Sequence, residues 1–413
     1  VVSSGGTLTV MRVPRVVAVA TSSLIIAAAA VGACSSNGSS PSPAADAATG
    51  SPDAIAADAS AGVEAAGDAR PDASVTPACL DAGGALSCAP NDTWFALSNG
   101  PGRAVGDPEP ATPDQVGDGM WHLFVGVDLT TDGGTTYVLI YDSTSPTPDG
   151  TFTLATAPLE ATNDVYDLHG KETPSYLRTD AHTEYVYYTA DTSYVPFAAS
   201  VAALRRVDGG AWTKVGIVAP FAADEIVQVD PTVAFDPASG QYVLLYESLV
   251  TPDAGAATLG IVSRTSSDPT HFDPSTRQWV TSGAATTGSI APARLALSHD
   301  DVGGVWRVAF DLADYPSGGY AYETRQTWTT TPVPPASALT DAAPFLHDGD
   351  HALHPALHLD GTTCTMSTCP QGAVLQPSKA VYPDGGDVIF YYAGWSTLPG
   401  LQVNGQRCTR SAP

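Results

Sequence analysis

Positive charge is scarce. The 413-residue chain carries 17 Lys and Arg against 43 Asp and Glu, a formal net charge of −26. That deficit argues against nucleic acid as a partner, because Lys and Arg must replace the counterions of phosphate. It argues equally against electrostatic docking on anionic lipid headgroups. Charge of either sign is low, at 15% of residues. Several catalytic signatures are missing: there is no G-x-S-x-G elbow, no Walker loop and no dinucleotide fingerprint. Turn-formers and tyrosine are plentiful, with 39 Gly, 34 Pro and 16 Tyr. Such a composition describes an all-β exported protein better than a helical cytosolic one. The length suits one large domain plus extras, or two or three domains.

The N-terminal stretch carries an address. No Met precedes Met11, so residues 1–10 read as a gene-model extension or a non-AUG start. Arg12 and Arg15 form a positive n-region, and Val16 to Val31 form an apolar core interrupted only by Thr21, Ser22 and Ser23. The pattern predicts a signal peptide over residues 1–33, starting at Met11. A plain signal peptide or an N-terminal membrane helix, with Cys34 incidental, is the rival, the apolar run being about the shortest that could span. Val31-Gly32-Ala33-Cys34 resembles the lipobox of bacterial lipoproteins, which implies cleavage before Cys34 and lipidation there. By the same resemblance, Ser35 after the cysteine implies an outer-membrane or cell-surface position. Residues 35–87 hold almost no large apolar residue and no aromatic, too little to offset the entropy of ordering. Residues 34–88 are therefore expected to be a lipidated cysteine followed by a disordered tether.

The rest repeats one pattern five times: a lead proline, a short extended segment, a turn and an aromatic-rich strand. The copies cover 106–128, 172–191, 230–248, 291–312 and 354–395, with lead prolines Pro108, Pro174, Pro231, Pro292 and Pro355. The spacings, by subtraction, are 66, 57, 61 and 63 residues. The fourth copy is out of phase with the third by one residue, and the fifth carries an insertion. The runs YVLLY and VIFYY are continuously apolar rather than alternating, which suits strands buried on both faces. A propeller blade supplies that environment, and about sixty residues suffice for four strands with loops. The expected fold is all-β, a five-bladed β-propeller over 89–413; a two-sheet sandwich would explain the strands but not the repeat.

In a propeller, the starts of the innermost strands converge on the axis. The residues there would be Asp107, Glu172-Thr173, Asp230, Ala291 and His354. At these motifs the chain resembles the five-bladed propeller glycosidases of families 43, 32, 62 and 130. Asp107-Pro108, Asp230-Pro231 and Glu172-Thr173-Pro174 match that group's catalytic Asp-Pro and Glu-x-Pro settings, and Arg264 to Pro269 resembles its outer-strand segment. The resemblance implies a surface-tethered glycoside hydrolase acting on poly- or oligosaccharide, with an arabinofuranoside- or xyloside-type substrate. It implies Asp107 as general base, Asp230 as the tuning and orienting carboxylate, and Glu172 as general acid, a division of labour suited to glycoside cleavage. The pattern departs from family 43 at Gly288 to Pro292, where the family's acidic Glu has no counterpart. Glu247 is a second choice for the acid. A non-catalytic glycan- or protein-binding propeller that has lost its acid is the alternative.

His347, His351, His354 and His358 cluster without matching a zinc spacing. His354 is expected to line the axis. No cofactor is required; the family resemblance allows a central calcium ion, and no other metal is assigned. Cys364 and Cys369 are a candidate local disulfide, while Cys88 and Cys408 flank the repeats and could tie their ends; Cys79 would then be odd. A monomer is expected.

Overall fold

The computed structural model describes residues 86–88, 105–130, 136–194, 197–250, 258–281, 290–314, 322–340, 343–344, 374–375, 377–383, 387–395 and 401–410. The signal segment, Cys34, His354, Cys364 and Cys369 lie outside them. Strand β1 (Leu86–Cys88) precedes the repeats. The first two repeats supply β2 (Val105–Ala111), β3 (Trp121–Thr130), β4 (Thr136–Ser145) and β5 (Thr153–Leu154), then β6 (Gly170–Arg178), β7 (Thr183–Tyr194), β8 (Phe197–Val207) and β9 (Thr213–Ile217). The next two supply β10 (Glu225–Asp236), β11 (Gln241–Val250), β12 (Thr258–Ser266) and β13 (Gln278–Trp279), then β14 (Ile290–Asp300), β15 (Val305–Asp314), β16 (Tyr322–Thr329) and β17 (Ala343–Pro344). The last strands are β18 (Val374–Leu375), β19 (Asp387–Trp395) and β20 (Leu401–Arg410). Helix among the described residues is confined to α1 (Pro113–Val116), α2 (Ala336–Thr340) and a 3-10 turn at Pro274–Thr276.

Neighbouring strands pair antiparallel in four-stranded meanders. Among the described residues one parallel pairing, Val138 with Gly170, joins the first two into one eight-stranded sheet. The last meander runs β18-β19-β20-β1, so its outer strand comes from the N-terminal side. β1 lies inside residues 34–88, the segment expected to be a tether. Three residues suffice because β20 supplies the pairing edge. Cys408 is disulfide-bonded, and Cys88 stands opposite it in the register.

Apolar clusters fill the spaces between successive meanders. Val243 and Leu245 pack with Leu297, Trp306 and Phe310 of the fourth. Leu244 and Tyr246 of the same strand pack the other way, on Tyr187, Val201 and Ala203 of the second. All four are at most 2% exposed. That is why YVLLY shows no alternation: both faces of β11 are interior, each such side chain contributing about 1.5–3 kcal/mol. Phe124 and Ile140 pack on Tyr176 and Val186 between the first and second meanders. Ala296 and Ala309 meet Val388 and Phe390 between the fourth and fifth. Leu123 and Val125 meet Ile389 and Tyr391 between the first and fifth.

The inner strands β2, β6, β10 and β14 share one irregularity. The register shifts between Gly106 and Glu109, Glu172 and Ser175, Val229 and Thr232, and Ala293 and Ala296. In each gap one residue takes a left-handed backbone: Asp107 (φ 50°), Thr173 (50°), Asp230 (53°) and Arg294 (51°). Asp tolerates this region; for Thr and Arg it costs roughly 1–2 kcal/mol each. Pro108, Pro174 and Pro231 follow directly, at bulge positions outside the ladder, where a missing N–H costs no pairing. The fourth bulge lies at Arg294-Leu295, three residues beyond the expected Ala291-Pro292, because Ala291, Pro292 and Ala293 are still paired with β15.

Candidate active site

The four bulges converge. Asp107, Thr173, Asp230 and Arg294 line one cavity of about 40 Å³ with their neighbours and Pro377. That volume admits a small number of waters among the carboxylates. Its fifth side is formed by Pro377, in the segment leading to β19, whereas the expected fifth position, His354, lies outside the described residues.

A chain of hydrogen bonds, whose members Glu109, Ser175 and Thr232 also line the cavity, ties each inner strand to the next. Glu109 Oε1 accepts from Tyr176 N at 2.8 Å, and Ser175 Oγ accepts from Val233 N at 3.0 Å. Thr232 Oγ1 accepts from Leu297 N at 3.1 Å, and Ser298 Oγ accepts from Ala380 N at 3.2 Å. Lys379 then closes the series. Its Nζ stands 2.7 Å from Glu109 Oε1 and donates to Ser175 Oγ, Tyr176 O and Val233 O, each at 2.9 Å. Burial raises the Glu109 carboxyl and the Lys379 ammonium opposes the rise. Glu109 is therefore a carboxylate committed to structure.

Asp107 sits where β2 turns into the cavity. A Cβ on Gly126 would stand 3.3 Å from Val138 Cγ1 and 3.4 Å from Asp107 Oδ2, so glycine there leaves the carboxylate room. Burial pushes Asp107 from 3.8 up to about 7; Arg294 opposes the rise, and Glu172, Asp230 and Asp128 add to it. Asp230 is fixed through its backbone, its N donating to Thr189 Oγ1 at 2.8 Å, and Thr189 Oγ1 lies 2.5 Å from Thr173 Oγ1. Its Oδ2 is 3.6 Å from Arg294 Nε. Glu172 is partly buried on β6, one residue before the second bulge, opposite Thr189 and within electrostatic reach of Asp107.

The structure thus brings Asp107 and Asp230 into one cavity and sets Glu172 beside it. It adds Arg294, which the Asp-Pro and Glu-x-Pro motifs do not mark because Leu295 replaces the proline. A signal existed: Arg294 stands as far before Asp300 as Asp230 does before Asp236. Both aspartates open a turn closed by a glycine of positive φ, Gly240 or Gly304, whose N–H returns to them. Among the described residues no three His, Cys, Asp or Glu side chains converge as metal ligands. Two carboxylates with a raised proton affinity at Asp107, the Arg294 cation near them, and space for water form an arrangement able to take a proton from water and stabilise positive charge.

No family model matches the chain, and no curated protein matches it in sequence. Among solved structures, a protein in complex with RGII is similar with a TM-score of 0.54 at 13% identity, over 79% of this chain and 93% of its own length. A thermostable family-43 glycoside hydrolase gives 0.52 at 14%, over 77% and 96%. A glycosyl hydrolase from Bacteroides ovatus gives 0.51 at 13%, over 78% and 90%. At these identities the likeness is one of fold: an almost wholly β chain with the architecture of propeller glycoside hydrolases.

Proposed function

We propose that the chain is a five-bladed β-propeller glycoside hydrolase that works at the cavity lined by Asp107 and Asp230, with Glu172 beside it. The observation that carries this reading is the convergence of Asp107, Asp230 and Arg294, each from the same left-handed bulge of its own inner strand, on one cavity. The five meanders, with apolar clusters linking each to the next and the last to the first, are its blades. Asp107 is the general base. Pushed up to about 7, it binds a proton more firmly than an ordinary carboxylate, and above that pH it is ionised and ready to draw one from water. Asp230, salt-linked to Arg294, orients the sugar and tunes its neighbours, and Glu172 protonates the leaving oxygen. The substrate is a poly- or oligosaccharide, with an arabinofuranoside or xyloside at the cleaved bond.

The test is turnover on a panel of aryl glycosides and plant or microbial polysaccharides, with Asp107→Asn and Asp230→Asn as controls. Hydrolysis by the wild type that falls about 10²–10⁴-fold in Asp107→Asn supports the reading. Measurable glycan binding with no turnover on any substrate replaces it with the binding propeller. That alternative is favoured by one observation: the fourth inner strand presents Arg294 at its bulge rather than a carboxylate.

The working domain is held at the bacterial outer surface by lipid on Cys34. Cys34→Ala should move the protein from the membrane to the soluble fraction; a variant that resists salt washing as well as the wild type does would disprove the anchor.

A further inference from the structure

At the cavity wall, Asp230 and Arg294 meet Glu247, a residue that does not line the cavity. Glu247 is on β11, opposite Val229, and is 4% exposed. Its Oε1 accepts a hydrogen bond from Arg294 N at 2.6 Å, so the carboxyl is pinned to the bulge of the next inner strand. The register sets Glu247 opposite Val229, the residue before Asp230, and the charge of Asp230 acts on the same carboxyl group. Asp230 in turn faces Arg294 Nε at 3.6 Å.

Two neighbouring carboxyls, one of them buried, cannot both be ionised cheaply, and one proton between them removes the conflict. The surroundings decide which oxygen keeps it. Asp230 is 14% exposed, open to the cavity and paired with a guanidinium. Glu247 is more deeply buried, and the contact on its Oε1 is a neutral amide. Opposite it on β12 stands Ile261, which brings no charge. The charged groups around the pair are Arg294 from β14, Asp107 from β2, which interacts with Asp230, and Glu172 from β6, which interacts with Asp107.

We propose that Glu247 is a positioning residue: held neutral, it donates a hydrogen bond to Asp230, and the two carboxyls share one proton as a dyad braced by Arg294. The raised proton affinity of Glu247, caused first by burial and then by the Asp230 charge, agrees with this. The catalytic consequence rests on the glycosidase reading; the dyad itself does not. Glu247 has no lead proline and lies inside β11, so the sequence offers it only as a second choice for the acid and not as a partner of Asp230. Its reach to the cavity follows from the register that sets it opposite Val229, next to the bulge at Asp230.

Infrared spectroscopy of the full chain tests the dyad without any substrate. At pH 7 the wild type should show the carbonyl stretch of a protonated carboxylic acid that Glu247→Gln lacks. In Asp230→Asn that band should titrate away at lower pH than in the wild type, because the neighbouring negative charge is gone. Identical carboxyl regions for wild type and Glu247→Gln, or a titration unmoved by Asp230→Asn, would overturn the dyad whether or not the protein turns over a glycan. On a hydrolysed substrate, Glu247→Gln should keep a higher kcat than Glu247→Leu. The amide can still accept from Arg294 N and donate to Asp230, whereas leucine can do neither. Equal kcat values would overturn the positioning role, and if Glu247→Leu does not fold, the infrared comparison decides.

Discussion

Replacing Asp107 by asparagine separates charge from shape. The two side chains are nearly isosteric, and asparagine, like aspartate, tolerates the left-handed backbone that Asp107 adopts at φ 50°. The substitution should therefore leave the bulge intact and remove only the ionisable group. Its effect on stability depends on pH with a definite sign. The folded-state pKa is raised, from 3.8 to about 7. Below about pH 4 the carboxyl is protonated in both states and contributes nothing adverse. Between about 4 and 7 the unfolded chain loses its proton first, so the native state binds more protons and loses stability as pH rises. Above about 7 the penalty is constant. At about 1.4 kcal/mol per pH unit, the interval sets a ceiling of about 4 kcal/mol, and the cavity's access to water brings the expected value to about 2–4 kcal/mol. Urea unfolding at pH 4 and pH 8 measures it. Asp107→Asn should match the wild type at the lower pH and exceed its stability at the higher one, while losing activity. A variant equally or less stable at pH 8, with its midpoint tracking the wild type across the range, would refute the claim that burial raises the proton affinity of Asp107.

Glu172→Gln should lose most turnover on sugars with poor leaving groups and least on activated aryl glycosides, which hardly need protonation; equal losses on both would remove Glu172 from the acid role. Lys379→Met should cost about 3–5 kcal/mol in denaturant unfolding, because it strands the Glu109 carboxylate and three acceptors in the interior. The double variant Lys379→Met with Glu109→Gln should recover part of that loss, and strict additivity of the two single effects would argue against their pairing.

Local chemistry determined a good deal of this protein. The runs YVLLY and VIFYY required two-sided burial, and Val243 to Tyr246 and Val388 to Tyr391 are indeed interior on both faces. Proline after Asp107, Thr173 and Asp230 marked three of the four bulges, because a residue without an N–H fits where the ladder is interrupted. Register and packing decided the rest. Arg294 became the fourth cavity position because β14 stays paired with β15 through Ala293, a matter of strand alignment that no proline announces. Glu109 and Lys379 are distant in sequence, yet their pairing joins the first and last inner segments, since only closure of the chain on itself brings them within 2.7 Å. The proton affinity of Asp107 is likewise a tertiary property: the residue type sets 3.8, and burial among Arg294, Glu172 and Asp230 sets about 7. Side-chain identity names the groups that can carry charge, but the free energy of carrying it depends on how much water and which neighbouring charges the fold leaves beside them.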